Sequence, residues 1–207
     1  SGVICEIMNE DGTMARLPDL VEFAKHHELK IGTIADLIAY RLKNDKLVER
    51  TLETTFSSNF GGEFDMAVYI NKIAYAEHIV LSKGDVSSGG PVPVRMHALS
   101  VLDDVLGDAS SGKADELHRA MEMISEEGRG VIVLIREPDP SSLSDKVRHK
   151  LGHDVESGGQ LRDYGVGAQI LLDLGVTEMI LLSSTQRNIV GLEGYGLSVV
   201  DQRPIPV

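Results

Sequence analysis

Apolar residues keep a period of two in the first half of this chain and a period near 3.6 in much of the second. No other feature narrows the fold as much. In Glu63–Asn71 the residues Phe64, Met66, Val68 and Ile70 alternate with Glu63, Asp65, Ala67 and Tyr69, the pattern of a half-buried strand. Glu77–Lys83 reads as another strand, ended by Gly84-Asp85 and a Ser/Gly/Pro-rich loop to Pro93, and Val92–Val101 is mostly extended. After residue 112 the spacing lengthens: Ala114, Leu117, Met121 and Ile124 mark the inner face of a helix that ends at Gly128. Val131–Ile135 is a wholly apolar strand, Pro138 and Pro140 break the chain, and Leu143–Leu151 is a short helix. Tyr164–Leu174 is helical up to Gly175, Met179–Leu182 is a strand, Gln186–Leu192 a short helix and Leu197–Val200 a last strand. Strands first and αβ alternation afterwards predict a mixed α/β domain, with flanking helices on a mixed sheet.

The first 41 residues stand apart. Val3–Met8 is β-rich and stops at the turn Asn9-Glu10-Asp11-Gly12, with Cys5 expected as a buried strand residue. Pro18 suits the first turn of a helix carrying Leu20, Val21, Phe23 and Ala24; Ile31–Ile34 is strand-like and Ala35–Leu42 a second helix. These elements are too few to bury their own faces and read as the end of a domain whose body is not in this chain. The start, Ser1-Gly2-Val3-Ile4, reads as a cut inside a longer protein, and polar Leu42–Glu49 as a linker.

Composition removes several functions. The chain has 207 residues, enough for a real core, and is 42% hydrophobic and 25% charged, as a soluble globular domain is. A formal charge of −12 argues against a nucleic-acid partner, which needs a basic stripe. A single cysteine, Cys5, excludes intrachain disulfides and any site built from two or more thiolates. The longest apolar run, Val131–Ile135, is far too short to span a bilayer, and no secretory signal is visible, so a cytoplasmic location is expected.

Two regions carry a family resemblance. Gly-Val-Ile-Cys-Glu-Ile-Met-Asn-Glu-Asp-Gly-Thr-Met-Ala, from Gly2, resembles the closing segment of 3,4-dihydroxy-2-butanone 4-phosphate synthase. The resemblance assigns Glu6 to a remnant of that family's sugar-phosphate site, the rest of which, including its Mg ligands, lies upstream. From about Glu63 to Pro204 the chain resembles GTP cyclohydrolase II, through Glu77-His78-Ile79-Val80-Leu81, Lys83-Gly84-Asp85, Pro93-Val94-Arg95-Met96-His97 and Glu126-Glu127-Gly128-Arg129-Gly130. Leu161-Arg162-Asp163-Tyr164-Gly165-Val166-Gly167-Ala168-Gln169-Ile170-Leu171 and Leu174-Gly175-Val176 continue it in the same order. The two activities are often fused in this order. The expected domains are therefore 1–45, a synthase tail, and 50–207, a cyclohydrolase II-like domain, with a homodimer and a fused upstream synthase as partners.

The resemblance implies a reaction that opens the guanine imidazole ring, expels formate and releases pyrophosphate, using zinc and magnesium. Zinc supplies the nucleophile because neutral water is too weak. The family holds zinc with three cysteines, spaced C-x10-C-x-C, just after an Arg-x-His-Ser-Glu motif. Here Arg95-Met96-His97-Ala98-Leu99-Ser100 occupies that stretch, and the three ligand positions fall on Ser100, Ser111 and Lys113. Two hydroxyls and an ammonium are a poor donor set for zinc, so no metal is expected. The family's Glu-Gly-Arg loop corresponds to Arg136-Glu137-Pro138-Asp139-Pro140-Ser141-Ser142, Lys150 falls near its catalytic Tyr, and Gln160 replaces a carboxylate. The phosphate-binding Lys corresponds to Asn188, within Ser183-Ser184-Thr185-Gln186-Arg187-Asn188.

What survives is Arg95, Arg162 and Ser183, a vestigial anion pocket for a weakly held nucleotide; Arg162 matches a family arginine at the α-phosphate. The plainer alternative makes Arg162 and Asp163 stabilisers of a helix start, and pairs Arg95 with a surface acid. Gly165-Val166-Gly167 opens a helix as phosphate loops do, but close helix packing explains it equally well. His149 and His153 share a spacing that could meet a metal, yet lack a third ligand, and His26-His27 point to different sides. The expected function is an inactive cyclohydrolase II-like domain that dimerises or regulates a fused synthase. The alternatives are a nucleotide hydrolase with an altered metal site, and a pure interaction domain.

Overall fold

Among the described residues, seven strands make one mixed sheet in the computed structural model, which describes residues 4–33, 36, 40, 45–72, 75–153, 160–184, 192 and 195–206 (backbone only for 160–164). The chain divides into two units, Ser1–Arg41 and Leu42–Val207. In the second unit the strands are β1 (Val48–Ser58), β2 (Gly62–Asn71), β3 (Ala76–Lys83), β4 (Val92–Ala98), β5 (Gly130–Ile135), β6 (Glu178–Leu182) and β7 (Ser198–Arg203), in the order β1-β2-β3-β5-β4-β6-β7. β1, β2, β3 and β5 pair antiparallel, whereas β5-β4, β4-β6 and β6-β7 pair parallel. The division follows from the connections. Short turns join the first three strands, while parallel neighbours need long crossovers, and the helical period begins where those crossovers begin.

β5 stands where the two halves meet. Its alternate side chains serve opposite cores, which is why it reads as unbroken apolar sequence. Val131, Val133 and Ile135 join Tyr69, Val80, Val94, Ala168, Ile170 and Leu171 on one side. Ile132 and Leu134 join Phe64, Leu81, Leu117, Ala120, Met121 and Ile124 on the other. Helix α2 (Glu116–Glu127) covers the second face, and α4 (Gln160–Asp173) the first; α3 (Ser142–Lys150) lies between them in sequence and buries none of its residues. In the first unit, α1 (Leu17–His26) starts with Pro18 in its first turn and Asp19 accepting from the Arg16 N–H at 2.9 Å. No described helix is long and apolar enough to cross a membrane.

Several expectations are corrected. Tyr69 was placed on the outward face of its strand, yet it is fully buried; α4 covers that face too, and the Tyr69 hydroxyl donates to Asp173 at 2.9 Å. The linker expected to run to Glu49 ends earlier, because Val48, 1% exposed, already anchors β1. Cys5 is exposed, and Val3–Met8 contributes only an isolated bridge, Met8 to Met14, within the described residues. Residues 31–33 form no strand; unit 1 buries only Ala15 and Ala24 among its described apolar residues, too little to order one. Gly165 and Gly167 lie inside α4 and do not open it. A Cβ on Gly167 would sit 2.1 Å from Met96 Cε, so close helix–sheet approach accounts for the glycine. The helix expected over 186–192 lies, but for Leu192, outside the described residues, as does most of the one over 35–42.

Gly130 opens β5 at φ +155°, and a Cβ there would meet Ile124 Cγ1 at 2.8 Å and the Pro93 carbonyl at 2.9 Å. Gly130→Ala is expected to lower stability by about 2 kcal/mol through overpacking and backbone strain, measured by urea unfolding. A loss below about 0.5 kcal/mol would show that α2 gives way freely.

Candidate functional site

Residues 95 and 97 fall on one face of β4, paired with Ile132 and Leu134 of β5. That puts an arginine and a histidine into the core beneath α2, where neither charge nor ring nitrogen can be left without a partner. Arg95, 9% exposed, donates to Glu116 Oε2 at 2.5 Å and to the Leu182 carbonyl at 3.1 Å. Glu116, itself buried, is the first residue of α2. Arg95 Nη2 also lies 3.3 Å from His97 Nδ1, and since guanidinium only donates, Nδ1 accepts. His97 Nε2 therefore carries the proton and donates to Asp104, 2.9 Å from both carboxylate oxygens.

Asp104 reaches this position through a π-helical turn, Val101–Val105, whose first free N–H groups are met by Ser100 and Asp104 themselves. Ser100 Oγ accepts from the Asp103 N–H at 3.4 Å, and Asp104 accepts from the Ser100 N–H at 2.7 Å. Burial pushes the Asp104 carboxyl up, but the bonds from His97 and Ser100 and the nearby Lys146 outweigh it, and its pKa is lowered overall.

A cavity of about 610 Å³ opens beyond the carboxyl ends of the parallel strands β4 and β6, the usual crevice of such sheets. Arg95, His97, Ser100, Ser111, Lys113 and Ser183 all line it. At its rim Lys150 pairs with Asp108, and Lys146 donates to the Leu99 carbonyl at 2.7 Å, tying α3 to the loop after β4. Lys150 and the Ser110 hydroxyl and N–H hold the Asp108 pKa down to about 2.

The three positions that the resemblance gives to zinc thus gather at one cavity, and their chemistry does not suit the metal. Ser100 Oγ is buried and already accepts a backbone N–H; Ser111 Oγ donates to the Asp108 carbonyl at 3.0 Å and accepts from the Lys113 N–H at 3.1 Å. Lys113 adds a positive charge at the rim. Among the described residues no group of three or more His, Cys, Asp or Glu is arranged to hold a metal ion. The residues present do not fit zinc.

Of the other sequence candidates, Arg162 lies in the first turn of α4 with its side chain outside those described, and Glu6 is exposed in the first unit. Arg95 meets a buried acid, where a surface one was expected. Glu116, Asp104 and Asp108 were missed. The Arg-x-His spacing alone could have placed His97 beside Arg95; nothing local marks Glu116, which meets them only through the fold.

The loop after β5 is fastened from below by His78, 2% exposed on β3, whose Nδ1 accepts the Arg136 N–H at 3.2 Å. Asp139 Oδ1 then accepts the Ser141 N–H at 2.8 Å as the chain turns into α3. Burial, with the Arg136 charge second, pushes the His78 pKa down to about 4.

This scaffold and cavity define a cyclohydrolase-type domain. Residues 49–204 match the sequence profile of GTP cyclohydrolase II, and the chain belongs to that family. Residues 1–40 match the profile of 3,4-dihydroxy-2-butanone 4-phosphate synthase. Among curated relatives, riboflavin biosynthesis protein RibBA of Bacillus cereus strain G9842 is 45% identical over 217 residues, covering 99% of this chain and 54% of the relative. RibBA of Bacillus subtilis strain 168 is 44% identical over 218 residues, with the same coverage. The chain spans about half the length of the curated relatives it matches. The crystal structure of RibBX, described as a two-domain 3,4-dihydroxy-2-butanone 4-phosphate synthase from A. baumannii, is similar with a TM-score of 0.53 and 33% identity, over 98% of this chain and 53% of that one.

Glu116→Ala leaves the Arg95 guanidinium buried without its carboxylate and is expected to cost about 3 kcal/mol in urea unfolding. A loss under 1 kcal/mol would mean that water or another acid takes over. His78 supplies a pH test. The unfolded ring takes a proton near its ordinary 6.5, the native ring only near 4, so stability is full above about pH 6.5 and falls as pH drops towards 4. The expected decline is about 3 kcal/mol across that window, and His78→Gln should flatten it. An equal slope in the variant would assign the titration elsewhere.

Proposed function

We propose that this chain serves riboflavin biosynthesis as a cyclohydrolase II-like domain that binds no zinc and does not hydrolyse GTP. In this reading it dimerises and regulates a dihydroxybutanone phosphate synthase fused upstream, in the cytoplasm. The observation that carries the reading is the wall of the cavity: Ser100, Ser111 and Lys113 stand where three thiolates would be needed, and the hydroxyls already have hydrogen-bond duties. Without thiolates at these positions zinc is not gripped there, and without its Lewis acidity no hydroxide forms beside a purine at neutral pH. Arg95 supports the same conclusion, because its positive charge is already neutralised by buried Glu116. Glu6 would be a remnant of the synthase site, acting only with residues outside this chain. Names and lengths of the relatives support a fused parent, since the curated proteins matched are riboflavin biosynthesis proteins of about twice this length.

A second reading is favoured by the retained cavity: a nucleotide hydrolase with an altered metal site, or a nucleotide-responsive regulator, using Arg95, Arg162 and Ser183 as phosphate contacts. The two separate in one experiment on the purified chain, with metal content by atomic emission and formate release from GTP measured together. The expected result is no stoichiometric zinc and no formate. About one zinc per chain with formate released above the metal-free blank would overturn the inactive reading. Nucleotide binding by calorimetry without formate would keep it and assign the cavity to regulation. For the regulatory role, removal of residues from 50 onward should change the size or the activity of the parent synthase; no change in either would refute it.

A further inference from the structure

β1 is the longest strand among the described residues, with 11 residues, and it stands at the edge of the sheet. Every residue from Glu49 to Ser57 is exposed, on both faces of the ribbon. Natural edges are usually blunted by lysine, proline, a bulge or short length. Here Leu52–Ser58 carries no lysine and no proline, and the one register shift lies before it, between Arg50 and Leu52. Its composition, Leu52, Thr54, Thr55 and Phe56, suits a paired strand. Unpaired backbone groups along a β-prone edge are a template for another strand.

The face beside that edge is apolar. Cross-strand partners share a face, so Leu52 lies with Val68, Thr54 with Met66 and Phe56 with Phe64; Ile79 of β3 continues the row behind Val68. Leu52 is 67% and Phe56 39% exposed, while Met66, Val68 and Ile79 are only half-buried. α2 covers Phe64 on this side and leaves the outer row open.

We propose that β1 pairs antiparallel with β1 of a second copy of this chain, about a two-fold axis at Thr54. This rests on the dimerisation reading above and gives it a surface. Charge favours a second copy here: two chains of net charge −12 meet at least cost where neither presents a run of acidic groups, and Leu52–Ser58 carries one charge, Glu53. That carboxylate is already held by Arg50 at 2.6 Å. The same data select the register. With the axis at Thr54, Leu52 faces Phe56 of the copy, Glu53 faces Thr55 and Thr51 faces Ser57, so no like charges are opposed. Moving the axis by one residue to Glu53 would set two carboxylates against each other. An axis perpendicular to the sheet keeps the same face of both copies on one side. The two Leu52–Phe56 rows then merge into one apolar stripe, and the contact is isologous.

The test uses the 207-residue chain with Cys5→Ser, which removes its only native thiol. Facing residues of an antiparallel pair have Cα atoms about 4.5–5.5 Å apart, within disulfide range. Thr54→Cys in that background should form a covalent dimer under mild oxidation. Leu52→Cys should not, because its two copies would be roughly 13 Å apart. The double variant Leu52→Lys/Phe56→Lys, altering exposed side chains only, should weaken dimerisation at least tenfold in sedimentation equilibrium with the circular dichroism unchanged. A dimer that neither crosslinks at residue 54 nor responds to the lysines would overturn this surface and leave the dimerisation reading intact. A monomer at every concentration would overturn both and leave the edge to a strand of some other protein.

Discussion

Burying one guanidinium organises the centre of this domain. Arg95 lies on a strand covered on both faces, so its charge needs a carboxylate within reach, and the first turn of α2 supplies Glu116. That contact fixes where α2 begins over the sheet. It leaves Arg95 Nη2 beside His97 Nδ1, which sets the tautomer and directs the ring's proton to Asp104. Asp104 reaches back only because the chain winds a π-helical turn, and that turn draws Ser100 into the wall. One charge thus propagates through four side chains into the shape of a loop. Such a pair is weak evidence for net stability, since desolvation consumes much of the attraction. Its effect is positional: each partner excludes other arrangements of the next.

The sheet shows a similar dependence on one element. β5 joins an antiparallel half, built by local turns, to a parallel half, built by crossovers. Its alternate residues feed two cores, so the covering helices must both press against it. Gly130 at its start admits α2, and Gly167 within α4 admits Met96 from the neighbouring strand. Glycine is needed on these two sides for the same reason: layers around a doubly buried strand approach closer than a Cβ allows.

Strand and helix positions were largely legible because they are local. The alternation through 63–71 and the helical spacing through Leu117, Met121 and Ile124 survive as β2 and α2. Legibility failed where a second layer intervened. Tyr69 looked outward under the rule for a half-buried strand, but α4 covers that side as well and gives its hydroxyl an acceptor in Asp173. No strand is expected over β1 from the sequence, since nothing local shows that Val48 is buried while the following nine residues are not. Cys5 was misplaced because a β-rich run becomes a strand only beside a partner. At the site, the family resemblance pointed to Arg95, Ser100, Ser111, Lys113 and Ser183, and these five line the cavity. Sequence could not show that Arg95 is paired from within, because Glu116 is 21 positions away and joined to it only by the fold.

The hydroxyls at the positions that the resemblance gives to zinc sit in a wall whose charges are largely paired from within. Three thiolates without a cation would repel, and a buried site of that kind collapses or protonates. In this wall Arg95 pairs with Glu116, Lys150 with Asp108, and His97 with Asp104. Ser100 and Ser111 complete backbone hydrogen bonds that a metal-bound thiolate would be drawn away from. Putting a cation among these groups would add charge beside Lys113 and Arg95, against both desolvation and repulsion. The hydroxyls and the internal ion pairs are therefore one arrangement, in which neighbouring residues of the wall answer one another's charges and hydrogen bonds.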